Sequence, residues 1–163
     1  MPQAQLPPHV RLMADDSLVS LAVPLSDSVF VTADRVWQYH ETLTWQGQVL
    51  EVLARDFERD LIFVKIAGWG GDVASWTDQA LAVGAEVYWG DGLNTHSGQM
   101  LSLGEDSKDW FLLESGDQPF LPGSPVFNTS GEVLGILLEE NQTQGIFRGV
   151  RSDRILDFYE QIQ

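Results

Sequence analysis

Apolar residues in this chain fall in short runs, alternating or continuous, separated by clusters of Gly, Asp, Asn and Ser. The runs are rich in Val, Ile, Leu, Phe and Trp, which is the signature of β-strands. Candidate strands are Val10–Met13, Leu18–Val23, Ser28–Thr32, Val49–Ala54, Leu61–Ile66 and Glu86–Trp89. They continue with Gln99–Leu103, Trp110–Glu114, Val126–Asn128, Val133–Glu139 and Gly145–Val150, and a weaker strand lies near Thr42–Trp45. Asn128-Thr129-Ser130-Gly131 has the turn chemistry of a hairpin between two of them. About a dozen short strands at regular spacing favour a β-barrel or sandwich over an α/β fold.

One helix is expected. Ser152 is placed to cap it, Asp153 sits in its first turn, and Ile155, Leu156, Phe158, Tyr159 and Ile162 form an apolar stripe. The stretch Gly68–Gln79 has the weakest periodicity and is expected to cross between two β halves. No internal repeat or heptad array is seen.

Composition narrows the function. The 163 residues suit one compact domain or two small fused halves. With no Cys, a disulfide framework, thiol catalysis and thiolate metal sites are excluded. Nine Lys and Arg against 24 Asp and Glu give a net charge of −15, which argues against a binder of nucleic-acid backbones and leaves open a basic protein partner. No run approaches the ~20 apolar residues of a membrane span. Met1–Val10 lacks a basic segment followed by an apolar one, so a signal peptide is not expected and a cytoplasmic location is. Asn128-Thr129-Ser130 and Asn141-Gln142-Thr143 match a glycosylation sequon but read as loop polarity.

Pro119-Phe120-Leu121-Pro122-Gly123-Ser124-Pro125-Val126-Phe127-Asn128, followed by Gly131-Glu132-Val133-Leu134-Gly135-Ile136, resembles the nucleophile region of trypsin-like serine proteases. The similarity is to the Deg-type (high-temperature-requirement) proteases and the bacterial glutamyl endopeptidases. Val31-Thr32-Ala33-Asp34-Arg35-Val36 is similar to that family's His-bearing segment, with Arg35 at the His. Ala54–Ile66 resembles the segment of the triad acid, which lands on Asp60, and Gly84–Gly90 resembles the strand opening the second barrel. Gly145-Ile146-Phe147 and the last helix complete an order that runs from about residue 10 to 162. The resemblance implies an all-β fold of two antiparallel β-barrels with a C-terminal α-helix. The barrels are expected over residues 10–68 and 80–150, with a linker at 69–79 and the helix at 152–162.

It also implies a lost activity. Acyl transfer in this family needs a hydroxyl activated by an imidazole that a carboxylate orients. The nucleophile position is Pro122, which has no hydroxyl, and Arg35 cannot accept a proton. The two oxyanion donors fall on Pro122, which has no N–H, and on Phe120, which replaces a Gly. Losing one such donor costs about 10²–10³ in rate. The expected protein is thus a pseudoprotease that needs no cofactor or metal and serves as an interaction or regulatory subunit of a larger complex. A structural ion pair between Arg35 and Asp60 is expected where the dyad stood.

Two other readings stand beside it. A peptide-binding module would use the former substrate edge, Leu138-Glu139-Glu140, whose acids select basic segments. A serine hydrolase with a relocated site would rest on Ser124 and His40. His9 and His96 read as isolated and solvated, and Asp91-Gly92-Leu93-Asn94 lacks the spaced acids of an EF-hand. The six Trp are expected mainly in the core.

Overall fold

In the computed structural model, which describes residues 6–40, 42–77, 82–102, 109–140 and 145–163, the first half of the chain curls into a half-barrel. Its strands are β1 (Val10–Ala14), β2 (Ser17–Pro24), β3 (Val29–Ala33), β4 (Thr44–Trp45), β5 (Gln48–Val49), β6 (Glu51–Asp56) and β7 (Leu61–Lys65). A short helix, α1 (Asp34–Tyr39), follows β3. The order across this antiparallel sheet is β5-β4-β1-β2-β3-β7-β6. Its two ends, β5 and β6, are separated only by the buried Leu50, so one bent strand joins them. The expected strand Val49–Ala54 is therefore real but broken at Leu50, whose side chain turns into the core.

The second half is a closed barrel, which decides between barrel and sandwich. It contains β8 (Glu86–Gly90), β9 (Thr95–Ser102), β10 (Trp110–Glu114), β11 (Pro125–Phe127), β12 (Val133–Glu140) and β13 (Ile146–Arg151). Strand β12 is buried from Val133 to Leu138 because both its faces are covered. Leu134 and Leu137 enter the barrel core with Trp89 and Phe111, while Val133, Ile136 and Leu138 join the core of the half-barrel. Gly135 lets the Phe111 ring cross β12, since a Cβ there would lie 2.6 Å from that ring. Between β11 and β12, Asn128 Oδ1 accepts the N–H groups of Ser130 and Glu132 at 3.0 Å, which makes the expected hairpin turn.

Helix α2 (Ser152–Ile162) leaves β13 and returns to the half-barrel. Ile155 is buried there, and Phe158 stacks on Phe63 with centroids 5.1 Å apart. The expected cap is corrected: Arg151 occupies the N-cap, and Ser152 instead donates its hydroxyl to the Thr77 carbonyl at 2.5 Å. Trp76 makes a second tie between the halves, bridging Val133 and donating to the Pro24 carbonyl at 2.9 Å. Helix α1 was not expected, because six residues are too few for an apolar stripe to show. Leu103, Gln79, residue 80 and the Asn141-Gln142-Thr143 triplet lie outside the described residues. Among the described residues no helix is long and apolar enough to cross a membrane.

Candidate functional site

The seam between the two halves carries a connected cluster of charged side chains. Strand β3 runs directly into α1, and the turn between β6 and β7 brings Asp60 beneath that junction. Asp60 has φ 59°, a left-handed conformation that Asp tolerates in tight turns. In that pose its carbonyl accepts the Asp34 N–H at 2.9 Å and its Oδ1 accepts the Arg35 N–H at 2.8 Å. The Arg35 guanidinium then donates from Nε to Asp60 Oδ2 at 2.5 Å, so the expected ion pair forms.

Arg35 does more than pair with Asp60. Its Nη1 reaches across the seam to Glu139 Oε2 on β12. Glu139 Oε1 accepts from Arg148 Nη2 of β13 at 2.5 Å, and the Arg148 guanidinium lies 4.2 Å from the centre of the Trp110 ring. Asp60, Arg35, Glu139 and Arg148 thus form one alternating chain of charges across the two halves. Burial works to lower the Arg35 pKa, but the bonds from Glu139 and Asp60 outweigh it and hold the group above its usual value. A guanidinium so placed binds the halves together and takes up no proton.

A second staple lies nearby. Arg59 donates to Asp56 at 2.7 Å and to Asp109 at 3.0 Å, and Arg154 of α2 approaches Asp109 at 3.6 Å. The fully buried Asp34 is held by both arms of Arg55, at 2.6 and 3.1 Å, and by Gln38 at 3.0 Å. A carboxylate removed from water needs such partners.

Pro122 and its neighbours are stitched into both halves by main-chain bonds. The Pro122 carbonyl accepts the Leu21 N–H of β2 at 3.0 Å, and the Gly123 N–H donates to the Leu137 carbonyl of β12 at 2.7 Å. Gly123 has φ 82°, and a Cβ there would lie 1.9 Å from the Leu21 carbonyl oxygen, so only glycine fits. Phe120 packs its ring against Phe147 with centroids 4.4 Å apart.

Several expectations need correction. Ser124 is fully buried; its hydroxyl accepts the Gly90 N–H at 2.9 Å and faces the Pro125 carbonyl at 3.3 Å. His40 lies beyond the end of α1, and among the described residues no hydrogen bond joins it to Ser124. The pair Ser124 and His40 therefore forms no nucleophile–base contact. Along the former edge, Leu138 is fully buried and Glu139 is bound by two arginines, leaving Glu140 as the exposed acid. The reason is geometric: Glu139 turns toward the two arginines of the seam, with about a third of its side chain still in water.

His96 is not solvated. Its Nε2 lies 2.7 Å from Asp91 Oδ2 and its Nδ1 3.2 Å from Gln118 Oε1. Asp91 Oδ1 caps its own loop by accepting the N–H groups of Leu93 and Asn94 at 2.8 and 2.7 Å. That loop is an Asp-capped turn, and among the described residues no group of three or more potential metal ligands gathers. His9 is likewise engaged, with Nδ1 2.9 Å from the Pro7 carbonyl.

Sequence reasoning missed Arg148, Trp110, Tyr39 and Phe57, which with Arg35 and Asp60 line a cleft of about 390 Å³. One signal was present: Arg148 interrupts the apolar strand Gly145–Val150, and a charge there calls for an acid on the neighbouring strand.

The fold so described is that of the trypsin-like serine proteases. A serine endoprotease from Yersinia pestis superposes with a TM-score of 0.79 at 18% identity, covering 98% of this chain and 64% of that one. Rv3671c from M. tuberculosis H37Rv, in an inactive form, gives 0.74 at 15% identity over 94% of this chain and 85% of that one. The HtrA-type protease AlgW with a decapeptide gives 0.74 at 17% identity, over 90% of this chain and 52% of that one. The chain thus spans less than two thirds of the length of the Yersinia endoprotease and about half that of AlgW. No protein-family profile matches the chain, and no curated protein matches it in sequence.

Proposed function

We propose that this chain is a non-proteolytic relative of the trypsin-like proteases that works by binding protein, as an interaction or regulatory subunit of a larger complex. The observation that carries the reading is Arg35. It stands where the resemblance puts the catalytic base, and it is held as a cation between Asp60 and Glu139. A group that stays protonated cannot draw a proton from a nucleophile. Pro122 supports the same reading, having neither the hydroxyl nor the N–H that acyl transfer uses. Ser124, the nearest hydroxyl in sequence, is committed to the main chain.

The peptide-groove reading is weaker for a specific reason. Strand β12 pairs with β11 only from Val133 to Ile136 but with β13 as far as Glu140, so an edge remains. The Glu139 side chain beside that edge is already neutralised by two arginines.

A fluorophosphonate probe tests the proposal, because it labels only an activated serine. The intact mass is expected to stay unchanged after exposure, with no cleavage of unfolded casein. A phosphonylated Ser124 would overturn the proposal in favour of a relocated hydrolase site.

A further inference from the structure

We infer that the outer edge of β6 is where this chain takes up its partner, by adding an extended basic and apolar segment of another protein as a strand. The inference rests on the interaction reading above and says where and with what that interaction is made. Strand β6 ends the sheet order, with β7 as its one strand neighbour among the described residues. Its other edge presents main-chain groups suited to strand addition.

The side chains around this edge are unusual for a surface strand. Val49, Val52 and Leu53 are 66%, 42% and 44% exposed, three large apolar groups within five positions. A register shift between Val52 and Ala54 makes Leu53 a bulge residue. The bulge breaks the alternation, so Val52 and Leu53 are both turned outward despite being adjacent. Elsewhere in the second half the exposed large apolar groups Val83, Leu93 and Leu101 stand far apart in sequence.

Charge selects the occupant. The arginines near this edge are spent: Arg55 on Asp34, and Arg59 on Asp56 and Asp109. Glu51 and Glu58 are exposed without an ion pair among the described residues, although Lys65 stands opposite Glu51 in the ladder. A second copy would bring another −15 and another Glu51 to the same edge. Like charges brought together at one edge disfavour that pairing. A segment alternating apolar residues with Lys or Arg meets both the apolar strip and the acids.

Photo-cross-linking in the cell that carries the protein tests this. The full chain is prepared with Leu53→p-benzoylphenylalanine, with Val49→p-benzoylphenylalanine as a second position, and with Leu93→p-benzoylphenylalanine on the other half for comparison. Irradiation is expected to join positions 49 and 53, and not 93, to a segment of another protein with alternating apolar and basic residues. Adding Glu51→Gln, which removes the acid without setting a second lysine opposite Lys65, is expected to lower that yield several-fold. An adduct with another copy of this chain, an adduct at position 93 alone, or a yield unaffected by Glu51→Gln would overturn the inference. The size of the endogenous protein separates the two proposals. A stable high-mass species with no adduct at 49 or 53 removes the β6 surface and keeps the interaction reading, whereas a monomer with no adduct removes both.

Discussion

The two halves close in different ways. In the second barrel every strand from β8 to β13 has two strand neighbours, so the main chain alone completes the ring. In the first half, closure falls to one strand bent at Leu50, whose later part, β6, keeps one neighbour among the described residues. Their polar contents differ accordingly. The barrel core around Trp89, Phe111 and Phe147 is apolar, whereas the first half carries Asp34, Asp56 and Asp60, each bound by an arginine. A ring closed by main-chain bonds needs no charges to hold it. A half-barrel that must be held against its neighbour uses charges at the seam, and leaves an edge over.

Phe111→Ala should give the largest effect, because the ring is fully buried and crosses Gly135 and Gly149. Removing such a ring leaves a cavity and costs about 3–5 kcal/mol. Chemical denaturation is expected to show one transition at lower midpoint, since α2, Trp76 and the Pro122 loop tie the halves together. Two separate transitions would show that the halves are independent units.

The seam should contribute less. Arg35, Glu139 and Arg148 keep 28%, 34% and 28% of their side chains in water, so their attraction is screened. A double-mutant cycle with Arg35→Ala and Glu139→Ala is expected to give a coupling of about 1 kcal/mol that shrinks in molar salt. Additivity of the two substitutions would mean that the seam is held by packing and main-chain bonds alone.

Much of this was legible in the sequence, and what was not has physical reasons. Strand positions showed through apolar runs, such as Val133–Glu139, which the structure has as Val133–Glu140. The pairing of Arg35 with Asp60 was readable because both lie in short motifs of fixed order. Glu139 was misjudged because its direction depends on the register of β12 against β13, which shifts between Leu137 and Glu139. A one-residue irregularity moves a side chain from one face to the other. Arg148 and Trp110 escaped for a related reason: they meet the site only once β10, β13 and β12 lie side by side. His96 looked isolated because its partners, Asp91 and Gln118, come from separate loops.

That His96 contact is the barrel's own polar tie, and acid should expose it. Burial tends to raise the Asp91 carboxyl, but His96 and the N–H groups of Asn94 and Leu93 outweigh it and hold the group below its ordinary 3.8. A carboxyl depressed in the folded state contributes stability above its unfolded pKa, and that contribution is lost as pH falls through the lower folded value. At pH 5 the wild-type and His96→Leu proteins should therefore differ in unfolding free energy by on the order of 1 kcal/mol. The difference should narrow below about pH 4, where the chain with His96 loses what the variant never had. Gln118 supports this assignment, because its Nε2 donates to the Ser97 and Ser115 carbonyls at 2.8 and 2.6 Å and so turns Oε1 toward the ring. A gap that stays constant down to pH 2 would mean that the imidazole stabilises this loop by filling space beside Trp89, not by its bond to Asp91. The closed barrel would then hold no charge-dependent tie there, and the contrast with the seam would be sharper still.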